Sequence, residues 1–319
     1  MRSSPKRGPD RSRLPTTMVS AFAPAKVNLT LHVTGQTTAG YHLLDSLVAF
    51  ASVGDDILIE PAEELSLVVD GPEADGVPVT GDNLALKAAA LLAGDAGARL
   101  SLTKRLPVSS GIGGGSADAA AAFRAMLVFG DDGPTPLDAF RTLPDTIYKT
   151  HASSVLSLGA DVPMCLLSRP ARATGIGEKL RFLTLPAVSA VLVNPRVPVA
   201  TPEVFGALEH RTNAAMPDEL PDMQTSGDLV EFLSEMRNDL QLPATAIAPV
   251  ISDVLSALKQ TTGCRLARMS GSGATCFALY AAQTDAGDAA YALRQAYPDW
   301  WVADCWLGNQ MQAALPQRA

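Results

Sequence analysis

The chain has 319 residues, of which 47% are hydrophobic, 5% aromatic and 18% charged, and its formal net charge is −8. This length and composition predict a globular protein of two domains, and the acidic balance argues against nucleic acid or an anionic membrane surface as a partner. No uncharged apolar run approaches the ~18–20 residues of a membrane span, and the scattered cysteines and histidines do not show the spacing of a metal site.

The N-terminal part of the chain begins with a polar, basic stretch at residues 1–17. This stretch lacks the apolar centre of a secretory signal and is predicted to be the disordered tail of a cytoplasmic protein. Residues 27–33 alternate apolar and polar side chains, as a half-buried strand does. Residues 41–50 are apolar without a clear period. Further strands are predicted at residues 57–60, 65–69 and 100–106, and a helix at residues 83–92.

The segment PVSSGIGGGSA at residues 107–117 contains four glycines, and the alanine-rich residues 118–127 after it are predicted to form a helix. Glycines let backbone N–H groups approach a ligand closely, and a helix that begins there adds its unpaired N–H groups and positive dipole end. This arrangement predicts an anion site, best suited to phosphate. The segment is not a Walker loop, because no Gly-Lys-Ser/Thr follows, and it lacks the third glycine of a dinucleotide fingerprint. Ser116 is expected to cap the helix, to contact phosphate or Mg²⁺, or both.

Two charged residues in apolar surroundings are candidates for catalysis. Lys26 lies at an otherwise apolar strand start, and Asp161 lies in the turn GADVP, before an apolar run that is predicted to be a strand through residue 167. Each also has an ordinary interpretation, as a lysine on an edge strand and as an aspartate of a turn. If the two residues pair, the lysine keeps the carboxylate ionised, and the carboxylate can accept a proton from a substrate hydroxyl.

In the C-terminal part, the sequence predicts a strand at residues 183–193, a loop at 210–228, and helices at 229–236 and 246–259. A strand, a glycine turn, a strand, a helix and a strand follow. The turn SGSG at residues 270–273 also fits an ordinary hairpin. This order of elements is typical of an α+β fold with helices on one face of an antiparallel sheet.

Five motifs occur in register: PAKVNLTLHV, AGYHLL, PVSSGIGGGSADAA, GADVP and MSGSGATCFA. Together they resemble the GHMP kinase superfamily, over most of the chain. GYH, GGGS and GADVP resemble the group whose acceptor is cytidine-diphospho-methylerythritol more than the homoserine or mevalonate kinases. The resemblance implies an α+β fold of two domains, a ribosomal S5 domain 2-like ATP-binding domain at residues 18–185 and a ferredoxin-like domain at residues 186–319 that contributes to the substrate site. It also implies transfer of the ATP γ-phosphoryl group to a 2-hydroxyl with the help of Mg²⁺, and no obligate protein partner.

The resemblance assigns roles to individual residues. Asp161 is the expected base, and Lys26 is its partner. The expected ATP-binding residues are Asn83, Lys104, Pro107, Val108, Ser109, Ser110, Gly111, Ile112, Gly113, Gly114, Gly115, Ser116 and Ala117. The expected substrate-binding residues are Asn28, Tyr41, His42, Thr201, Phe205, Gly271, Ser272 and Gly273. Asp118 stands where asparagine is common, an exchange that is expected to be neutral, and Ala39 stands where an acidic residue is frequent.

Two alternative functions stay open from the residues. Another kinase of the same superfamily would act on homoserine, mevalonate or a sugar, although Tyr41, His42 and Phe205 favour an acceptor that carries a pyrimidine. A binding or sensor protein would keep the fold without catalysis. The presence of both Lys26 and Asp161 disfavours this second alternative.

Overall fold

A computed structural model describes residues 17–93, 97–129 and 144–318. The predicted tail, apart from residue 17, lies outside these ranges. The sequence also predicts helical pieces at residues 134–158, broken by Pro144, and residues 134–143 of that prediction lie outside them as well. The strands of the described residues are β1 (Val19–Asn28), β2 (His32–Gln36), β3 (His42–Pro61), β4 (Ser66–Asp70), β5 (Ala98–Thr103), β6 (Ala171–Gly175), β7 (Lys179–Phe182), β8 (Val188–Asn194), β9 (Leu266–Met269), β10 (Cys276–Tyr280), β11 (Trp301–Gly308) and β12 (Gln317–Arg318). The helices are α1 (Leu84–Ala93), α2 (Gly114–Phe129), α3 (Pro144–Leu156), α4 (Val162–Leu167), α5 (Thr201–Gly206), α6 (Ser226–Ser234), α7 (Gln241–Ile247), α8 (Val250–Gln260) and α9 (Gln283–Ala296).

The strands of the described residues form one sheet, with the order β12-β1-β3-β11-β8-β10-β9 along its main path. β3 is 20 residues long and joins residues 42–50, which show no clear period in the sequence, to the strand predicted at residues 57–60. Its continuity depends on Gly54, because a Cβ atom there would overlap the carbonyl oxygen of Ala23 in β1. All described strand pairs are antiparallel except β4 with β5. Together with the helices, this sheet confirms the α+β prediction.

The core consists of aliphatic clusters between the sheet and its helices. α1 and α2 pack over the first strands, and the alanine face of α2 lets it lie close to the sheet. α8 and α9 pack over β8, β9 and β10. A third cluster combines residues from both parts of the chain, among them Val27, Ile112 and Phe277. The two parts therefore share buried apolar surface as well as strand hydrogen bonds.

Two predictions of secondary structure are wrong. Residues 162–167 form the short helix α4 instead of a strand; Asp161 occupies its N-cap position and Pro163 its first turn. Proline is tolerated there because the first helical N–H groups have no partner within the helix. The single helix predicted at residues 246–259 is divided at Ala248 and Pro249 into α7 and α8, which are bent by 120°. No single helix of the described chain is long and apolar enough to cross a membrane.

Candidate active site

The glycine segment connects β5 to α2, as the sequence predicts, but the helix begins earlier than expected. α2 begins at Gly114, and the N–H of Ala117 donates to the carbonyl oxygen of Gly113 at 2.9 Å. Ser116 therefore lies in the first turn, and its interpretation as the N-cap is wrong. Gly111 and Gly113 have φ angles of 76° and 65°, which glycine adopts without strain. Residues 114–116 of the first turn, whose N–H groups have no partner within the helix, line the cavity beside the segment.

The second glycine turn, residues 270–273, packs against the first one. The hydroxyl of Ser270 donates to the carbonyl oxygen of Gly111 at 3.2 Å, and the N–H of Thr275 donates to that of Ser110 at 3.1 Å. A Cβ atom on Gly111 would lie 2.5 Å from the carbonyl oxygen of Gly273. The turn does connect two antiparallel strands, β9 and β10, but its glycines also permit close contact between two distant loops.

Lys26 and Asp161 form the ion pair that the sequence analysis considered. Their Nζ and Oδ2 atoms lie 3.0 Å apart, with Lys26 buried and the side chain of Asp161 37% exposed to the cavity. Lys26 follows an irregularity in β1, and its N–H donates to the carbonyl oxygen of Ile112 at 2.9 Å. Its ammonium also donates to Oδ1 of Asn28 at 2.8 Å. Asn28 is oriented in turn, since its side-chain NH₂ donates to the Ser46 hydroxyl at 2.7 Å.

Lys104 lies under the start of α2, between two buried carboxylates. Its ammonium donates to Asp55 and, at 3.0 Å, to Asp118. Burial opposes the charge on Lys104, but attraction by Asp118 and Asp55 outweighs it and raises the lysine pKa. Burial also raises the pKa of Asp118 well above its usual value, because Lys104 offsets only part of the desolvation and Asp55 repels a second negative charge. The expectation that aspartate in place of asparagine at position 118 is neutral is therefore wrong, because the aspartate adds a second carboxylate beside Lys104.

These residues surround a cavity of about 730 Å³. The predicted site residues that line it are Lys26, Asn28, Asn83, Lys104, Pro107, Val108, Ser109, Ser110, Gly111, Gly113, Gly114, Gly115, Ser116, Asp161, Thr201, Phe205 and Ser272. Ile112 and Ala117 are buried behind the wall, and Gly271 and Gly273 support it through backbone contacts. The cavity extends from the glycine segment, past Asp161, to α5 of the C-terminal part.

Tyr41 and His42 lie beyond the far end of the cavity. The ring of His42 stacks on Phe205, with centroids 4.8 Å apart and planes inclined by 22°, whereas Tyr41 is 63% exposed. Burial, and then the positive charge of Arg211, lowers the pKa of His42. Its Nε2 atom is buried without a hydrogen-bond partner in the described structure. Nearby, the hydroxyls of Thr201 and Ser272 lie 2.8 Å apart.

Two buried residues that were not predicted as site residues support the cavity wall through hydrogen bonds. Ser46 orients Asn28, and Asp55 accepts hydrogen bonds from Lys104 and from the N–H of Leu106. Asp55 could have been recognised from the sequence, because a charged residue within a largely apolar strand needs a buried partner. No comparable signal existed for Ser46. Among the described residues there is no group of three or more His, Cys, Asp or Glu side chains that could hold a metal ion.

Comparison with known proteins gives a consistent result. Residues 83–169 match the family model of the GHMP kinase N-terminal domain, and residues 218–299 match that of the GHMP kinase C-terminal region. A curated 4-diphosphocytidyl-2-C-methyl-D-erythritol kinase of Roseobacter denitrificans is 52% identical, over 94% of this chain and 97% of the relative. One from Cereibacter sphaeroides is 54% identical, over 90% and 98%. A crystal structure of 4-(cytidine 5'-diphospho)-2C-methyl-D-erythritol kinase aligns with a TM-score of 0.68 and 34% identity, over 91% of this chain and 99% of that one.

Proposed function

The chain belongs to the GHMP kinase family and is a small-molecule kinase, and on this premise we propose the reaction that it catalyses. The γ-phosphoryl group of ATP is transferred to the 2-hydroxyl of 4-diphosphocytidyl-2-C-methyl-D-erythritol, a step in the formation of isoprenoid precursors. The identity of more than 50% to curated kinases of this name carries the choice of acceptor. The ion pair of Lys26 and Asp161 beside the glycine segment supports the chemistry.

The triphosphate of ATP is proposed to lie along the glycine segment and the first turn of α2, where N–H groups and the helix dipole attract anions. Asn83 and Lys104 line the same end of the cavity and are proposed to face the nucleotide. Phosphoryl transfer depends mainly on positioning and charge neutralisation, because little covalent work falls to the protein. A preformed cradle of backbone N–H groups supplies both.

Mg²⁺ fits this wall of the cavity. Mg²⁺ prefers oxygen ligands and is usually held by substrate phosphates, waters and only one or two protein groups. The Ser116 hydroxyl is an oxygen ligand on the cavity wall, and this residue would hold the ion together with the phosphates and waters. When bound, it supplies neutralisation of phosphate charge.

Asp161 is proposed to accept the proton of the 2-hydroxyl. The Lys26 ammonium, 3.0 Å away, fixes the orientation of the carboxylate, and Asn28 holds that ammonium from the other side. A positioned base typically contributes about 10²–10⁴-fold to the rate. Asn28 also faces the cavity and is proposed to position the acceptor alcohol, with residues 271–273 closing the gap between acceptor and phosphates.

The cytosine of the acceptor is proposed to bind at the stacked pair of His42 and Phe205. A lowered pKa leaves the imidazole of His42 neutral near pH 7, and its buried Nε2 has no protein partner in the described chain, so it is available to the base. Tyr41 is exposed beside this pair and offers a further ring for stacking. Thr201 and Ser272 supply hydroxyl groups between this end and the phosphates.

We further propose a boundary between the two domains near residues 185–186 and action in the cytoplasm without an obligate protein partner. The four cysteines are free thiols, as is usual in a reducing compartment.

Phosphorus NMR tests the proposed reaction. Each sample contains the protein, ATP, Mg²⁺ and one acceptor, which is cytidine-diphospho-methylerythritol, homoserine, mevalonate or galactose. A sample without acceptor is the control. A new phosphomonoester signal is expected only with the cytidine compound. The same signal on another acceptor would assign a different member of the family. ATP that no acceptor consumes would contradict kinase activity and favour a binding protein.

A further inference from the structure

Pro107 and Val108 of the glycine segment separate the main cavity from a smaller one of about 220 Å³ on the other side. The segment is therefore a thin wall with free space behind it. The smaller cavity is bounded by the loop after β4, which contains Glu73, and by the loop after β8, which contains Arg196. A contact between these two loops therefore limits how far the glycine segment can move away from the main cavity.

Glu73 and Arg196 join the two loops by a bidentate ion pair. Both pairs of guanidinium nitrogen and carboxylate oxygen lie 2.6 Å apart. The Glu73 side chain is 6% exposed and that of Arg196 is 46% exposed. Bidentate arginine–carboxylate pairs are directional as well as strong, so this pair fixes the distance and the orientation of the loops. We call the pair of Glu73 and Arg196 the clasp.

Both ends of the clasp are connected to the glycine segment. At one end, the N–H of Glu73 donates to the carbonyl oxygen of Lys104 at 3.1 Å. At the other end, the N–H of Arg196 donates to Oδ1 of Asn194 at 2.7 Å. The side-chain NH₂ of Asn194 donates to the Thr275 hydroxyl at 2.9 Å.

Thr275 completes the connection, because its N–H donates to the carbonyl oxygen of Ser110 at 3.1 Å. A continuous series of polar contacts thus leads from Lys104, just before the segment, through the clasp to Ser110 within it. Arg196 has a φ angle of 59°, which a non-glycine residue adopts only when its surroundings hold it there. The contacts with Asn194 and Glu73 supply that restraint.

We propose that Glu73 and Arg196 are positioning residues that hold residues 104–110 in the conformation that receives the ATP phosphates. This inference rests on the proposed function, since it assumes that ATP occupies the main cavity. An ordered cradle binds more tightly than a mobile one, because less conformational entropy is lost on binding. The clasp should therefore affect ATP and leave the acceptor, which binds at the other end of the cavity, unaffected.

The test uses Arg196→Met, Glu73→Gln and the double variant, with ATP affinity measured by calorimetry and both KM values from initial rates. Each single variant is expected to weaken ATP binding and to raise the KM for ATP by about two- to five-fold, the upper range for a partly exposed charge pair. The KM for the acceptor should stay unchanged. The double variant should be no weaker than the single ones, because the pair is broken in all three.

Hydrogen exchange provides a second measurement that does not depend on turnover. Peptides covering residues 104–116 should exchange faster in the Arg196→Met variant without ATP, and the difference should become smaller with saturating ATP. Arg294→Met is the matched control, because Arg294 is 45% exposed, pairs with Asp304 at 2.9 Å and lines neither cavity. It should leave ATP affinity and segment exchange unchanged. Glu73→Gln, which keeps the shape of the side chain but removes its charge, serves if Arg196→Met does not fold.

Unchanged ATP affinity in the folded clasp variants would overturn the inference, as would equal increases in both KM values or additive effects in the double variant. Failure of the proposed function would look different. In that case the unaltered protein itself would bind no ATP or phosphorylate no cytidine acceptor.

Discussion

At the residue scale, one carboxylate carries the proposed chemistry. Asp161 is the partly exposed member of a pair whose lysine is buried and held by Asn28. Its position at the start of α4 places it on the cavity wall, and its partner Lys26 contacts the glycine segment at Gly113. A base must reach the hydroxyl that it deprotonates, so exposure to the cavity is as necessary as the ion pair.

We predict that Asp161→Asn lowers kcat by at least ~10²-fold, because the amide cannot accept the proton. ATP affinity should change little, since the phosphates are held by backbone groups of another segment. Steady-state kinetics and calorimetry measure the two quantities. Asp145→Asn is the control, because Asp145 lies on α3, pairs with Arg169 and is 68% exposed outside the cavity. Near-normal turnover of the Asp161 variant would remove this residue from the role of base.

Asp118 shows how a single side chain changes the balance of a buried cluster. Two carboxylates, Asp55 and Asp118, share the one ammonium of Lys104, and Oδ1 of Asp118 is buried without a partner in the described structure. Desolvation makes the second negative charge costly, and the raised pKa of Asp118 follows from it. The folded protein therefore binds a proton there that the unfolded chain releases near the ordinary value of 3.8.

We predict that Asp118→Asn changes the dependence of stability on pH. A folded pKa above the unfolded one means that stability is complete at low pH and is lost as pH rises toward the folded pKa. Asparagine does not titrate, so the variant's advantage in unfolding free energy should grow with pH, by up to about 1.4 kcal/mol per unit within that range. Urea unfolding at pH 5 and pH 8 measures it. Asp253→Asn, an exposed exchange on α8, is the control. An advantage that shrinks with pH would show that the cluster favours ionised Asp118.

At the scale of elements, the two glycine turns act as one unit. Backbone atoms of the two turns lie close together, so a side chain is excluded at some positions and tolerated at others. Gly111 has no room for a Cβ atom and a positive φ angle, whereas a Cβ on Gly115 would meet nothing closer than Leu84 Cδ1 at 3.7 Å. The four glycines of the segment are consequently not equivalent.

We predict that Gly111→Ala lowers the free energy of unfolding by about 1–3 kcal/mol, through backbone strain and loss of contact with residues 270–273. Gly115→Ala is the matched variant, and it should leave stability unchanged or raise it by up to about 1 kcal/mol, because alanine is the better helix former. Urea unfolding compares the two variants. Equal losses of unfolding free energy in the two variants would show that the close contact at Gly111 does not contribute to stability.

The same scale shows where local patterns are ambiguous. The run VPMCLL is short, apolar and buried, and periodicity cannot distinguish a buried strand from one and a half turns of helix. Asp161 and Pro163 at its start are compatible with a helix N-terminus, a signal that favours the observed structure. The strand and helix predicted at residues 65–69 and 83–92 are confirmed within one residue, because each has an unambiguous period.

At the scale of the whole molecule, the sheet continues from the N-terminal to the C-terminal part. β11 pairs with β8 along its length and with β3 at Leu307 and Gly308. The third apolar cluster spans both parts. Shared strands and shared core make it costly to unfold one part alone, so the two proposed domains should be thermodynamically coupled.

We predict that the two parts unfold together. The three tryptophans of the chain, Trp300, Trp301 and Trp306, all lie at or in β11, so their fluorescence reports on the C-terminal part and on its contacts with Arg105 and Ser52. Far-ultraviolet circular dichroism reports on both parts. The two urea transitions should coincide in midpoint and slope, as for a single cooperative unit. Adding ATP should shift both equally, because ligand binding stabilises the whole unit. Separate midpoints would show independent domains.

Local sequence was sufficient to predict the elements with a clear period and the glycine segment before a helix, and to single out the two charged residues that meet beside it. These features follow from the backbone freedom of glycine, from helix termini and from the alternation of side chains, which act over a few residues. Three features became evident only in the folded chain: residues 42–61 form one strand, Asp55 and Asp118 share Lys104, and Glu73 pairs with Arg196. Such partners are brought together by sheet order and loop packing, and no local pattern of residues encodes which distant side chain will be adjacent.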